Sequence, residues 1–326
     1  MMKNRIFPLH RMRFIISLFH FFFFFCCAFA YDVEIDGICY NLLGMRYAYV
    51  THRWHWSDLN IDASLQSLDE ATGYVGDVVV PDHITYNGNT YTVRSVSENA
   101  FAWSEGLTSV RLPSTVRAVS ACAFLGCTNL RQVYMSPDFR AIAPCAFTGC
   151  TSLQQITLPR AADVVDTLTF YCCSSLTSIA LPHRIRTVCQ GALEHLSAMT
   201  DLYSFASTPP VAEQGVFTLA DQQHCTLHVP AEALSLYQQS PVWSDFCQIV
   251  PLTDDDYLSH NYQRGDINAD GVIDAEDLLL LRRIIVSLPT DAAVRWAADV
   301  NADGTINAID YVTLARQLGS IDNLQE

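Results

Sequence analysis

Two twelve-residue stretches near the C-terminus hold the residues best suited to chemistry. In Asp266-Ile-Asn268-Ala-Asp270-Gly271-Val272-Ile-Asp274-Ala-Glu-Asp277, oxygen-bearing side chains fall at positions 1, 3, 5, 9 and 12, with glycine at 6. Asp299-Val-Asn301-Ala-Asp303-Gly304-Thr305-Ile-Asn307-Ala-Ile-Asp310 repeats the arrangement 33 residues later. Calcium takes roughly six to eight hard oxygen ligands on a loop that wraps the ion, with glycine at the sharp turn. This spacing supplies them, the carbonyls of Val272 and Thr305 filling position 7. The expected ligands are therefore Asp266, Asn268, Asp270, Val272, Asp274 and Asp277 for one Ca2+ ion, and Asp299, Asn301, Asp303, Thr305, Asn307 and Asp310 for a second. At position 12 aspartate stands where an EF-hand has glutamate, one methylene shorter. Ile273 and Ile306, at position 8, are expected to pair the loops and bury their backs. One helix is expected after each loop, Leu278 to Ser287 and Tyr311 to Leu318, with none before it.

Other residues with chemical potential are less well placed. Thr51-His-Arg-Trp-His-Trp56 gathers imidazoles and indoles, but on a strand His52 and His55 would point to opposite faces, and no third ligand stands nearby. A strand or loop of ordinary structural role is the expectation there. Gly-x-Ser-x-Gly, phosphate-loop and His-Glu-x-x-His motifs are absent, and Asp163 and Asp166 read as surface acids. No catalytic residue is assigned.

The elements that must carry these residues are set by a repeat. Phe101, Phe124, Phe147, Phe170 and Leu193 are spaced 23 apart, as are Leu107, Leu130, Leu153, Leu176 and Met199. A fixed period over five units in register signals a solenoid, since one coil cannot enclose its own leucines but stacked coils bury them as columns. Each unit offers a short strand of the form Leu-x-x-Val-x-Leu-Pro, closed by a proline that cannot donate to the next rung. Cys127, Cys150 and Cys173 form a second column and read as small buried hydrophobes carrying free thiols. Cys39, Cys225 and Cys247 could pair, with partners left open. The outward strand positions Arg111, Tyr134, Thr157, Ala180 and Tyr203 make a lightly charged, partly aromatic row suited to contact.

The Ala-Phe-x-x-Cys-x-x-Leu-x-x-Val-x-Leu-Pro pattern resembles the BspA-like leucine-rich repeats of bacterial surface proteins. It covers about residues 93–207, between an N-terminal β cap (31–92, with hairpin turns at Asp36-Gly37 and Asn87-Gly88) and a closing coil (208–252). The duplicated loop-helix with aspartate at position 12 resembles the type I dockerin, over about residues 264–320. The first resemblance implies adhesion to a protein, such as a host protein, or a glycan, and the outward row offers Arg111, Tyr134 and Tyr203 as its contacts. The second implies a cohesin partner, contacted through Ala275, Glu276, Arg282 and Arg283 in one copy and Ala308, Ile309, Ala315 and Arg316 in the other. The fold expected is a β-rich leucine-rich-repeat solenoid with β caps, followed by a small all-α calcium-binding dockerin domain, joined by an acidic linker at 253–263.

Composition narrows the function classes. The chain has 326 residues, 34 acidic against 19 basic, and 12 cysteines. Residues 1–30 hold four of the basic groups, no acid and an apolar run ending in Ala28-Phe29-Ala30, the layout of a signal peptide. A transmembrane anchor is the rival reading, though the run falls short of the roughly 20 residues that span a bilayer. The rest of the chain is strongly acidic, which argues against nucleic acid and against docking on anionic lipid. The expectation is an exported, non-catalytic protein at the cell surface or in the medium, whose solenoid recognises a ligand and whose calcium module docks to a cohesin-bearing scaffold of a cellulosome-like, polysaccharide-degrading kind. A host or matrix adhesin with a passive end domain, and an accessory part of a glycoside hydrolase complex, are the alternatives.

Overall fold

In a computed structural model of the chain, the described residues are 31–53, 73–136, 139–260, 262–269, 271–287 and 291–319. The leader, Trp54, His55, Trp56 and Asp270 lie outside them.

Two ladders of short parallel strands form opposite walls of a solenoid. On one wall Gly76–Val79 pairs with Leu107–Arg111, which pairs with Gln132–Tyr134; the strand expected before Pro159 is reduced to a single bridge, Gln132 to Gln155, and a separate ladder runs through Ser178–Leu181, Asp201–Ser204, Thr226–Val229 and Gln248–Pro251. The register sets Val110 against Val133 and Ile179 against Leu202, so like residues stack on like. The other wall runs through Asn89–Val96, Ala118–Val119 and Ala141–Ile142, then Val164–Val165, Thr187–Val188 and Val211–Ala212. At the N-terminal end, antiparallel strands Val33–Ile35 and Ile38–Leu43 join Tyr47–Val50, which enters the second wall beside Asn89–Val96. The two expected hairpins form: Ile35 pairs with Ile38 across Asp36-Gly37, and Tyr86 with Asn89 across Asn87-Gly88, all four turn residues at positive φ.

Columns between the walls make the core. Phe101, Phe124, Phe147 and Phe170 are buried and stack face to face, with centroids 4.9, 5.1 and 5.7 Å apart and ring planes within 5°. Beside them the Sγ of Cys127, Cys150 and Cys173 donates to the carbonyls of Phe101, Phe124 and Phe147 at 3.0, 3.1 and 3.2 Å. Burial pushes all three thiols up, the opposite of what a nucleophile needs. All ten described cysteines are free thiols. The corners that turn the chain repeat too: Asn99, Cys122, Cys145 and Leu168 all take positive φ at the same place in successive coils.

Helices follow the strands. The closing coils carry α1 (Leu219–His224) and α2 (Leu234–Gln239), packed around buried Tyr237 and Trp243. The segment read as an acidic linker contains α3 (Asp254–Ser259), begun by a capping box in which Thr253 and Asp256 exchange side-chain and backbone bonds. Among its described residues the C-terminal module has three helices rather than two: α4 (Ala275–Val286), α5 (Ala292–Ala298) and α6 (Ala308–Gln317). Both α4 and α6 begin three residues before the expected starts, because Asp274 and Asn307 cap them. Helix α5, which leads into the second loop, starts on Asp291, whose carboxylate accepts from the Val294 N–H at 3.1 Å. Ile267, Leu281, Ala297, Ala298, Val300 and Leu314 form the module's small core, with Ile273 and Ile306 packed against it.

Candidate metal centres and contact surfaces

The loops place their acids unevenly. Among the described residues five aspartates are buried, and four of these are positions 1 and 12 of the loops: Asp266, Asp277, Asp299 and Asp310. Asp277 and Asp310 are fully buried. Asp277 Oδ1 accepts from the N–H groups of Ile267 (2.7 Å) and Asn268 (3.1 Å), and its Oδ2 from Asp274 N–H (2.9 Å). Asp310 does the same work in the second loop, accepting from Asn301 N–H (3.2 Å) and Asn307 N–H (2.9 Å). The position-12 residue thus closes its loop and caps the following helix at once, and aspartate is short enough to do both. Gly271 (φ +89) and Gly304 (φ +82) donate back to the position-1 carboxylates, each at 3.0 Å, from a backbone conformation that side chains disfavour.

Each position-1 carboxylate also meets an arginine. Arg160, on the solenoid, donates to Asp266 Oδ2 at 2.8 Å. Arg264 donates to Asp299 Oδ2 at 3.2 Å and to the Asp299 carbonyl at 2.6 Å, lies over the Trp296 ring and pairs with Asp254. Burial raises the Asp266 carboxyl, against the lowering pull of Arg160. In the second loop Asn301, Asp303 and Thr305 are exposed, and hydrogen bonds from the Thr305 hydroxyl and the Asn301 amide lower the Asp303 carboxyl. Among the described residues no three acidic, histidine or cysteine side chains already converge as a metal cluster. The donor set nonetheless suits a hard cation. It is all oxygen, it includes side-chain amides and backbone carbonyls, and each loop buries two carboxylates beside one arginine among the described residues. An unpaired buried charge is far too costly to leave uncompensated.

The expected contact residues separate. Ala275, Glu276, Arg282, Arg283, Ala308, Ile309 and Arg316 are exposed, among exposed apolar side chains of α4 and α6: Leu279, Val286 and Val312. Ala315 is instead 2% exposed, because α6 turns it inward beside Leu314, so it is not available as a contact. A shallow depression between the two helices is lined by Arg282, Ile285, Val286, Ala308 and Tyr311.

The outward row of the solenoid also divides. Arg111 lies 4.2 Å over the Tyr134 ring and both are exposed, as is Thr157. Tyr203 is covered, stacked on His228 at 4.4 Å and meeting His260 at 4.3 Å, with Ala180 half-buried alongside. The cover is the α3 segment, whose Tyr257 and Tyr262 are buried against Phe205, at 5.2 and 4.4 Å, while Tyr257 stacks on Trp296 of α5 at 4.7 Å. Tyr203 is thus half-buried and engaged in a junction with the α3 segment rather than standing free like Tyr134. The sequence marks both partners as unusual without pairing them. Ser204-Phe205 stands where three of the other four units have Leu-Pro, and Thr253-x-x-Asp256 is a helix-start signature inside the supposed linker. His52 is half-buried beside Thr51, and Asp166 caps the Thr167 N–H at 2.8 Å.

Residues 92–215 match the BspA type leucine rich repeat region in six copies, one more than the five units counted from the phenylalanine register. Residues 264–319 match the dockerin type I domain. The chain therefore carries a BspA-type leucine-rich repeat region with the leucine-rich-repeat fold and, after it, a dockerin type I domain; both are non-catalytic interaction modules. Dockerin type I domains bind calcium and bind cohesin domains. Similar solved structures include a leucine-rich repeat protein of T. pallidum (25% identity, TM-score 0.41, covering 53% of this chain and 71% of that one). Others are a leucine-rich repeat protein of Bacteroides ovatus (18%, 0.35, 70% and 69%) and a leucine-rich cell surface protein of Faecalibacterium prausnitzii (15%, 0.38, 69% and 74%). No curated protein matches the chain.

Proposed function

We propose that this is an exported, non-catalytic binding protein whose leucine-rich solenoid, of 23-residue period and capped by β structure at both ends, presents a recognition surface. Its dockerin holds two calcium ions and docks to a cohesin-bearing scaffold or surface protein. The observation that carries the reading is the burial of Asp266, Asp277, Asp299 and Asp310: two carboxylates per loop, beside one arginine per loop among the described residues, leave a negative, oxygen-lined loop that a divalent cation would neutralise. Loop 1 would hold its ion through Asp266, Asn268, Asp270, Asp274, Asp277 and the Val272 carbonyl. Loop 2 would use Asp299, Asn301, Asp303, Asn307, Asp310 and the Thr305 carbonyl. Bound calcium would supply electrostatic closure of each loop, while the position-12 aspartates cap α4 and α6 and so set the helix faces a partner meets.

Docking is supported by the exposed apolar and arginine side chains of α4 and α6, including Val286, Ile309, Arg282, Arg283 and Arg316. Among the described residues no helix is long and apolar enough to cross a membrane. A cohesin-bearing scaffold of a polysaccharide-degrading assembly is the partner this reading names. The test is a pull-down of the full chain from the native secretome, with and without chelator. Capture of a cohesin-bearing protein only with calcium is expected, and calcium-independent capture or none would overturn the docking. Recognition by the solenoid is assigned to the exposed Arg111–Tyr134 pair, since Tyr203 is covered.

A further inference from the structure

The two calcium loops receive the same outer support from different parts of the chain. In loop 2, Oδ2 of Asp299 accepts from Gly304 N–H and from Arg264, a residue of the dockerin itself. Oδ1 of the same carboxylate turns into the loop, where it accepts from Asp303 N–H at 3.0 Å. In loop 1, Oδ2 of Asp266 accepts from Gly271 N–H and from Arg160, 106 residues earlier and on the solenoid. The arrangement is pseudo-symmetric: each position-1 carboxylate has its outer oxygen fixed by a glycine N–H and a guanidinium. Only the source of the guanidinium differs.

Arg160 is held for this role. It directly follows Pro159, lies 5.7 Å over the Tyr262 ring, and its side chain is about one-fifth exposed while that of Asp266 is almost wholly buried. One coil on, at the equivalent place, the His183 N–H donates to Tyr262 Oη at 3.2 Å. Near the equivalent place in the next coil, Ser207 Oγ accepts from Ala292 N–H at 2.6 Å, at the start of α5. Equivalent places in successive coils thus grip the dockerin and the segment leading into it, and the first of them reaches a metal loop.

Charge decides whether Arg160 would oppose the ion or assist it. Loop 1 carries four aspartates, Asp266, Asp270, Asp274 and Asp277, so one divalent ion leaves it net negative and a guanidinium remains welcome. Resting on the reading that residues 266–277 bind calcium, we propose that Arg160 is a positioning residue for the first calcium site. The solenoid completes that site, and calcium binding and attachment of the dockerin to the solenoid strengthen each other. Reciprocity follows from linkage: whatever factor docking adds to calcium affinity, calcium adds to docking.

Calorimetric titration of the full chain with calcium alone tests this. Loss of an outer-shell partner typically weakens a metal site roughly 10–100-fold, so Arg160→Gln is expected to weaken one of two binding steps by that factor. The other step should stay within about twofold, as expected of distant groups. Arg160→Lys should recover part of the loss, supplying charge without the planar fork. An Arg160→Gln isotherm that superimposes on the native one, weakens both steps equally, or tightens the first would overturn the proposal. No calcium binding by the native chain would instead sink the calcium reading on which it rests. Should Arg160→Gln fail to fold, hydrogen exchange on the native chain decides. Filling loop 1 should slow exchange of the Ala162 N–H, bonded to the Pro159 carbonyl at 2.9 Å beside Arg160, and unchanged exchange there would count against the coupling.

Discussion

The solenoid and the dockerin bury opposite things. The solenoid's core is apolar and redundant: phenylalanines, leucines and thiols recur in register, and each coil is covered by the next. The dockerin's core is six small or aliphatic side chains, and beside it lie four buried carboxylates. A chain segment that buries charge in place of oil must import its cation, whereas a stack of like coils supplies its own partners. Between the two lies a third kind of packing, the aromatic cluster of Phe205, Tyr257 and Tyr262 with Ala293, which neither the repeat nor the calcium loops dictate.

Withdrawal of calcium should separate the regions most sharply. Where metal binding contributes the folding free energy, removal unfolds the module. Chelation is expected to abolish protection of residues 264–319 while amides of the solenoid columns keep theirs, as read by hydrogen exchange; simultaneous loss in both would show that the solenoid depends on the ions. Phe147→Ala attacks from the other side. Deleting a buried ring costs about 3–5 kcal/mol, so the solenoid's denaturation midpoint should fall while calcium affinity holds.

Phe205→Ala probes the junction itself. A loss toward the lower end of that range, about 3 kcal/mol, is expected from thermal unfolding, with Tyr257 and Trp296 fluorescence shifting to that of exposed rings. An unchanged emission spectrum would place those rings outside any real junction. Acidification should act on the same junction more gently. Burial holds the His183 imidazole below its ordinary value, with Asp291, Arg184, Arg160 and Asp266 as the charges around it and Tyr262 Oη beside it. A histidine whose folded value is depressed binds more protons when unfolded, so its contribution to stability is full above about pH 6.5. That contribution is lost as pH falls below this value toward the folded one. The native chain should therefore lose more stability between neutral and mildly acid pH than His183→Gln does, and equal losses would remove His183 as the cause. Smallest of all, Tyr134→Ala on the exposed face should change stability by no more than about 0.5 kcal/mol. Any effect should instead appear in capture of a solenoid ligand.

Much of this was legible in the residues. Phe101 to Phe170 announce a column because stacking at a fixed spacing has one economical solution, and the two hairpin turns are written in Asp-Gly and Asn-Gly. The calcium loops are equally local, since a twelve-residue wrap is specified by its own side chains. The third helix of the module was legible too, in Asp291 before an alanine-rich run, as was α3 in its capping box; both were obscured by the expectation of a linker and of one helix per loop. Tyr203 and Ala315 could not be judged from spacing alone. Tyr203 sits at a position that is outward by period and meets His260, 57 residues on, while Ala315 falls on the inward side of α6.

The sequence by itself therefore determined the repeating register, the thiol and phenylalanine columns and the oxygen-rich loops, because these depend on contacts between neighbours in the chain or between equivalent places in successive coils. The tertiary structure alone decided that Phe205 receives Tyr257 and Tyr262, that the C-terminal end of the outward row is closed, and that Arg160 reaches Asp266. Those contacts join residues without a common period, and no local rule relates a strand end of the solenoid to the first position of a loop 106 residues later.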